Sequence, residues 1–248
     1  MIDLEAIRSG LNRGEFFVEY LPTIALAGGN CVGAEALTRW RRASGIVHPF
    51  DSMELIRDTP LSGRITYWVI ETVARELGAW LRANPDAHIS INVPPEILGR
   101  GGLEYAATSA GLNDVLDRIV LEITEHGVPD AIGVAAINKA RAAGVRVALD
   151  DVGINDANLL VLSRVNVDII KLPKSFADSL LDEEGAPANL TGLRALMKAT
   201  NVQVIAEGVE TARQVEILKE AGVSMAQGWY FSPTLPAEAF QAYFRAHR

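Results

Sequence analysis

"AIGVAAINKARAAGVRVALDDVG", residues 131–153, joins two periodicities in one stretch. Residues 131–144 read as a helix that stops at Gly144, a common C-terminal end. Residues 145–150, "VRVALD", read as a short apolar strand. A helix feeding a strand across one glycine is half of a βα repeat. The strand ends on adjacent carboxylates, Asp150 and Asp151, and only Arg146 in the run before them is basic. Two like charges side by side repel, so the pair calls for a physical reason.

The same alternation continues in both directions. Strand-like runs are "HISINV" (88–93), "RIVLEIT" (118–124), "VDIIKL" (167–172), "VQVIAE" (202–207) and a weaker "VSMAQG" (223–228). "TARQVEILKEAG" (211–222) is a second helix ending in glycine, and long helices are expected earlier in the chain, around residues 61–83. Such alternation predicts βα units and a parallel sheet. The N-terminal part differs: "EFFVEYLPTIAL" and "CVGAEALTRW", separated by "AGGN", read as a β-hairpin. Six βα-type strands plus this hairpin suit an α/β fold, a (β/α)8-like barrel with an irregular opening. An open doubly wound sheet shares the same periodicity. The loosest segment, "LLDEEGAPANLTG" (180–192), is about a loop's length, so residues 1–248 read as a single domain.

Bulk composition narrows the function. The chain has 248 residues, 49% of them hydrophobic, and a net charge of −8. An acidic chain is poorly suited to duplex nucleic acid or to a membrane surface, which are both anionic. A single cysteine, Cys31, leaves no intrachain disulfide and fits a reducing compartment. The four histidines show no zinc spacing. The first residues, "MIDLEAIRSGLNRGEF", form an amphipathic helix pattern, not a signal peptide, and no apolar run reaches the roughly 18 residues of a membrane span. A cytoplasmic location is the expectation.

The informative feature is where the strands place their polar residues. Glu35, Asn92, Glu122, Asp150 with Asp151, Lys171, Glu207 and Gln227 lie at or near the C-terminal ends of apolar runs. In a parallel barrel these ends converge on one mouth. Each residue alone has a bland reading: a strand-end carboxylate starts a loop or caps a helix, and a lysine snorkels. Recurrence at equivalent positions makes the bland reading poor. Five carboxylates in one mouth repel, and divalent cations remove the conflict. All-oxygen ligands point to Mg²⁺ or Mn²⁺. Adjacent aspartates suit two cations, one carboxylate bridging, and paired metals about 4 Å apart suit phosphoester hydrolysis.

"GAEALTRW", "INVPPEIL", "LEITE", "ALDDVG", "VDIIKLPKSF", "VIAEGVET" and "AQGWYFSPTLP" together resemble the EAL family, in its order and spacing, from about residue 5 to the end. The resemblance implies a modified TIM barrel that hydrolyses cyclic di-GMP to the linear dinucleotide pGpG. It implies Glu35, Asn92, Glu122 and Asp150 as ligands of one metal, and Asp150, Asp151 and Glu207 as ligands of a second. Lys171 would hold the attacking water, and Glu125 would steady the loop after the aspartates. Arg39 would meet a substrate phosphate, Leu37 would line the pocket, and Gln227 matches a glutamine near the site. The family also implies a homodimer and attached sensor or cyclase domains.

Several positions depart from the family pattern. Leu21 replaces a glutamine, Arg57 sits where a glutamate is expected, and Pro173 replaces an aspartate. In the loop after the aspartates, Val152, Ile154 and Asn155 replace a phenylalanine, a hydroxyl residue and a glycine. Every expected metal ligand is nonetheless present, which favours the enzyme. The alternative is a weak or inactive EAL domain serving as a cyclic-di-GMP receptor or protein-interaction module.

Overall fold

A computed structural model describes residues 2–47, 54–123, 130–152, 165–182, 186–200 and 202–248. Its strands are β1 (Phe16–Ala25), β2 (Cys31–Arg42), β3 (Gly45–Val47), β4 (His88–Val93), β5 (Ile119–Ile123), β6 (Arg146–Leu149), β7 (Ile169–Leu172), β8 (Gln203–Ala206) and β9 (Met225–Ala226). From β2 to β9, leaving out β3, neighbouring strands pair in parallel. The hairpin supplies the exception. β1 pairs antiparallel with β2 on one side and with β9 on the other, at Ile24 with Ala226 and Ala25 with Met225. That last pairing closes eight strands into a barrel and excludes the open sheet. β3 hangs on β2 outside the ring.

The interior follows the period-two rule of strands. Val120, Ala148, Ile169, Ile205 and Met225 form a small buried apolar cluster inside the ring. Two residues further along the same chains, on the same face, come Glu122, Asp150, Lys171, Glu207 and Gln227. The barrel is therefore plugged by an apolar layer with a polar layer directly above it. Larger cores fill the space between barrel and helices. On one side Trp40 stacks on Phe16 at 5.1 Å, and Trp80 lies edge-on to Phe240 and Phe244. On the other, helices Ala131–Ala142, Ala186–Thr200 and Ala212–Ala221 cover β5 to β9.

Helix ends sit where the sequence signals them. Thr211 and Gln214 form a reciprocal capping box, and Gly222 (φ 87°) ends that helix in the left-handed region. The pattern over 61–83 is one helix, Pro60–Ala83, with its proline in the first turn. The segment 180–192 is only partly a loop. A helix begins inside it at Ala186, with Leu193 and Leu196 buried. Packing of those two leucines outweighs the weak local propensity. No described helix is long and apolar enough to cross a membrane.

Candidate active site

The strand ends bring the sequence-singled residues to one mouth. Asn92 and Glu122 are register partners on β4 and β5. Lys171 ends the interior face of β7 and is 1% exposed. Its Nζ lies 2.7 Å from Glu122 Oε2, 2.6 Å from Glu207 Oε1, 3.0 Å from Glu35 Oε2 and 3.3 Å from Asp150 Oδ1. The ammonium is thus the hub of four carboxylates from four strands. Asn92 Nδ2 donates to Glu35 Oε1 at 2.9 Å, and Gln227 Nε2 donates to Glu35 Oε2 at 2.6 Å and Glu207 Oε1 at 3.2 Å.

Asp150 and Asp151 could not face one point in a continuous strand, where neighbours alternate. Asp151 breaks the alternation with φ 52°, a left-handed conformation that aspartate tolerates better than most residues. Hydrogen bonds on both sides hold the kink: Asp150 N–H donates to Ile123 O and Val152 N–H to Lys171 O, each at 2.9 Å. Carboxylate oxygens of Asp150, Asp151 and Glu207 consequently lie within 4.8 Å of one another.

One lysine does not offset the burial and mutual repulsion of all these carboxylates. Burial lowers the affinity of Lys171 for its proton, but the surrounding carboxylates outweigh this and hold it well above the usual lysine range. Burial raises Glu122 well above normal, with repulsion from Glu35 adding to it. Burial likewise raises Asp150, and lifts Glu207 to about 8. Glu35 alone goes down: burial pushes it up, but Lys171 and the amides of Asn92 and Gln227 prevail. Without a further cation the cluster must retain protons.

Two buried oxygens, Glu122 Oε1 and Asp150 Oδ1, have no hydrogen-bond partner, the latter lying near Nζ but outside bonding geometry. Unmet buried acceptors beside crowded carboxylates are the chemistry a hard divalent cation satisfies. The residues fit such ions.

Leu21 is the register partner of Glu35, Glu19 of Leu37, and Phe17 of Arg39, so all six share one face of the hairpin. Arg39, 9% exposed, donates to Glu19 Oε2 at 3.0 Å and to Thr38 O at 3.1 Å. Four residues past Glu35, it stands about 13 Å along the strand, at roughly 3.3 Å per residue. Val152 is buried. Pro173 precedes the short helix Lys174–Ser179 and gives it no side-chain cap. Arg57 is exposed. Glu125, Ile154 and Asn155 lie outside the described residues. The sequence reading missed Thr23, whose hydroxyl reaches Gln227, and the Glu19 carboxylate, which also accepts from Thr234.

The EAL domain model matches residues 4–234. The chain belongs to the EAL domain family. It is 33% identical to the probable cyclic di-GMP phosphodiesterase PdeB of Escherichia coli (strain K12), over 97% of this chain and 47% of that protein. It is 29% identical to the bifunctional diguanylate cyclase/cyclic di-GMP phosphodiesterase MucR of Pseudomonas aeruginosa, over 96% of this chain and 36% of that one. The EAL chain thus spans about half the length of PdeB, and less of MucR. Among solved structures, the EAL enzyme Bd1971 with cAMP and cyclic-di-GMP superposes with TM-score 0.88 at 25% identity, covering 97% of this chain and 67% of that one. The PaMucR phosphodiesterase in complex with c-di-GMP superposes with TM-score 0.85 at 28% identity, covering 96% and 98%.

Proposed function

We propose that this EAL chain, acting as a single barrel unit, hydrolyses cyclic di-GMP to pGpG with two divalent cations, Mg²⁺ or Mn²⁺. The carrying observation is the complete carboxylate ring around buried Lys171, with unmet oxygens on Glu122 and Asp150. The named activities of PdeB and MucR and the ligands in the related structures support the substrate. Action in the cytoplasm, a homodimer and attached sensor or cyclase domains belong to the same proposal.

Glu35, Asn92, Glu122 and Asp150 would hold one cation, and Asp150, Asp151 and Glu207 the other. Together the ions would lower the pKa of a shared water and neutralise the phosphodiester. Lys171 orients that water and presents its charge to the oxygen that becomes negative. Glu207, 2.6 Å from Nζ, would serve as a cation ligand and could also take the water's proton. Arg39 meets a phosphate, Leu37 lines the pocket beside it, and Glu125 steadies the loop after Asp151. The test is incubation with cyclic di-GMP and Mn²⁺ or Mg²⁺, with products separated chromatographically. Linear pGpG is expected, and chelator or Ca²⁺ should suppress it. Micromolar binding without turnover would move the chain to the receptor class.

Two further outcomes follow. Leu21 borders Glu35 on the mouth face and offers a ligand no hydrogen bond. Leu21→Gln is expected to tighten cyclic-di-GMP binding by about fivefold, near one net hydrogen bond. Calorimetry checks this, and unchanged affinity would mean position 21 does not touch the ligand.

The second concerns pH. Glu207 holds its proton up to about 8 in the folded, metal-free chain, against 4.5 when unperturbed. A carboxyl raised on folding contributes stability that is full below the lower value and lost as pH rises through the higher one. Glu122 and Asp150 act in the same direction. Metal-free protein should therefore melt at lower temperature at pH 8 than at pH 5.5. Mn²⁺ should raise Tm more at pH 8, where protons no longer compete for the carboxylates. An equal or larger rise at pH 5.5 would contradict the assignment.

A further inference from the structure

Gln227 commits both of its amide N–H donors, and its amide oxygen takes one further bond. Its Nε2 donates to Glu35 Oε2 at 2.6 Å and to Glu207 Oε1 at 3.2 Å, while its Oε1 accepts from the Thr23 hydroxyl at 3.4 Å. Both side chains are sealed from solvent, Thr23 at 1% exposure and Gln227 at 2%. Glu35 and Glu207 belong to different cation sites in the proposed function, so one amide ties the two sites together. An amide is nearly symmetric in shape. Turned over, it would set Oε1 against two carboxylate oxygens and leave Nε2 facing the hydroxyl.

The fold holds Thr23 at this point. Thr23 pairs with Gly33, two residues before Glu35, and the register shifts at the next step, so Val32 has no β1 partner. Such bulges re-aim side chains beside sites. A side chain at Gly33 would meet His88 O at 2.3 Å, so the backbones approach closely there.

We infer that Thr23 is a positioning residue: its hydroxyl fixes the Gln227 amide so that Nε2 bridges Glu35 and Glu207. This rests on the two-cation reading, and Thr23 itself touches neither ions nor substrate.

The test compares Thr23→Val, which keeps the shape but loses the donor, with Thr23→Ser, which keeps the donor. Mn²⁺ affinity is measured by calorimetry, kcat and KM are measured on cyclic di-GMP, and the Gln227 side-chain amide is followed by NMR in metal-free protein. Thr23→Val should weaken Mn²⁺ binding and lower kcat by about fivefold, the scale of one buried hydrogen bond, with KM unchanged. Its Gln227 amide protons should shift and exchange faster, and Thr23→Ser should stay within about twofold of the parent throughout. Parental Mn²⁺ affinity in Thr23→Val, or equal impairment in both variants, would overturn the inference. Should the parent bind no Mn²⁺, the two-cation reading fails on its own. The amide spectrum then decides Thr23 separately: an unchanged Gln227 signal in Thr23→Val refutes the contact, and a changed one retains it.

Discussion

Glu35→Ala and Asp151→Ala are each expected to reduce cyclic-di-GMP turnover about a thousandfold or more, because several kcal/mol of charge stabilisation is lost at about 1.4 kcal/mol per factor of ten. The two variants should differ in how they fail. Glu35 anchors the hydrogen bonds of Asn92, Gln227 and Lys171, so its removal strips partners from half-buried Asn92 and from buried Gln227 and Lys171. Among the described residues Asp151 has no such anchoring role; what it adds is a carboxylate held by a left-handed backbone at φ 52°. Alanine there keeps the kink at a strain cost. Asp151→Gly removes that strain and should be the more stable of the two, yet equally inactive. Unchanged turnover in Glu35→Ala or Asp151→Ala would mean the two-cation assignment is wrong. Recovery of turnover by Asp151→Gly would reduce Asp151 to a turn residue.

Lys171→Met is expected to produce the largest loss of stability. It removes the only cation within reach of Glu35, Glu122, Asp150 and Glu207 among the described residues, at a position 1% exposed. Breaking a buried ionic cluster on one side costs about 3–5 kcal/mol. The carboxylates would rise further and keep their protons, so the loss should grow as pH rises from 5.5 to 8. Mn²⁺ should restore part of the melting temperature, since the oxygen ligands remain, while turnover stays absent. Thermal unfolding with and without Mn²⁺ separates these effects. A Lys171→Met protein as stable as the parent at pH 8 without metal would show that Lys171 is no electrostatic hub.

Much of this arrangement was readable in the sequence. β4 occupies His88–Val93, the whole of its apolar run, and Glu122, Lys171 and Glu207 stood out because a polar residue closed each run. Period two then places them one layer above Val120, Ile169 and Ile205. Closure was legible only through the family resemblance and not in the local periodicity, because it depends on pairing Ile24 and Ala25 with Met225 and Ala226, some 200 residues apart. The start of the helix Ala186–Thr200 was not readable either: its first residues sit in the loose stretch 180–192, and Leu193 and Leu196 further on are buried by other elements. Lys171 reads in sequence like any strand-end lysine, and only the barrel's curvature surrounds it with carboxylates. Asp151 shows the same limit: "DD" raised the expectation of a cation pair, but the left-handed turn that makes both side chains converge leaves no separate mark. The family resemblance gave Arg39 as an expected phosphate contact, whereas its tether to Glu19 depends on the hairpin register.

The most direct measurement is the crystal structure of the Mn²⁺-loaded protein, read by anomalous scattering at the manganese edge. Two peaks about 4 Å apart are expected, with Asp150 touching both, Glu35, Asn92 and Glu122 on one, and Asp151 and Glu207 on the other. A single peak, or two that do not share Asp150, would contradict the two-cation site.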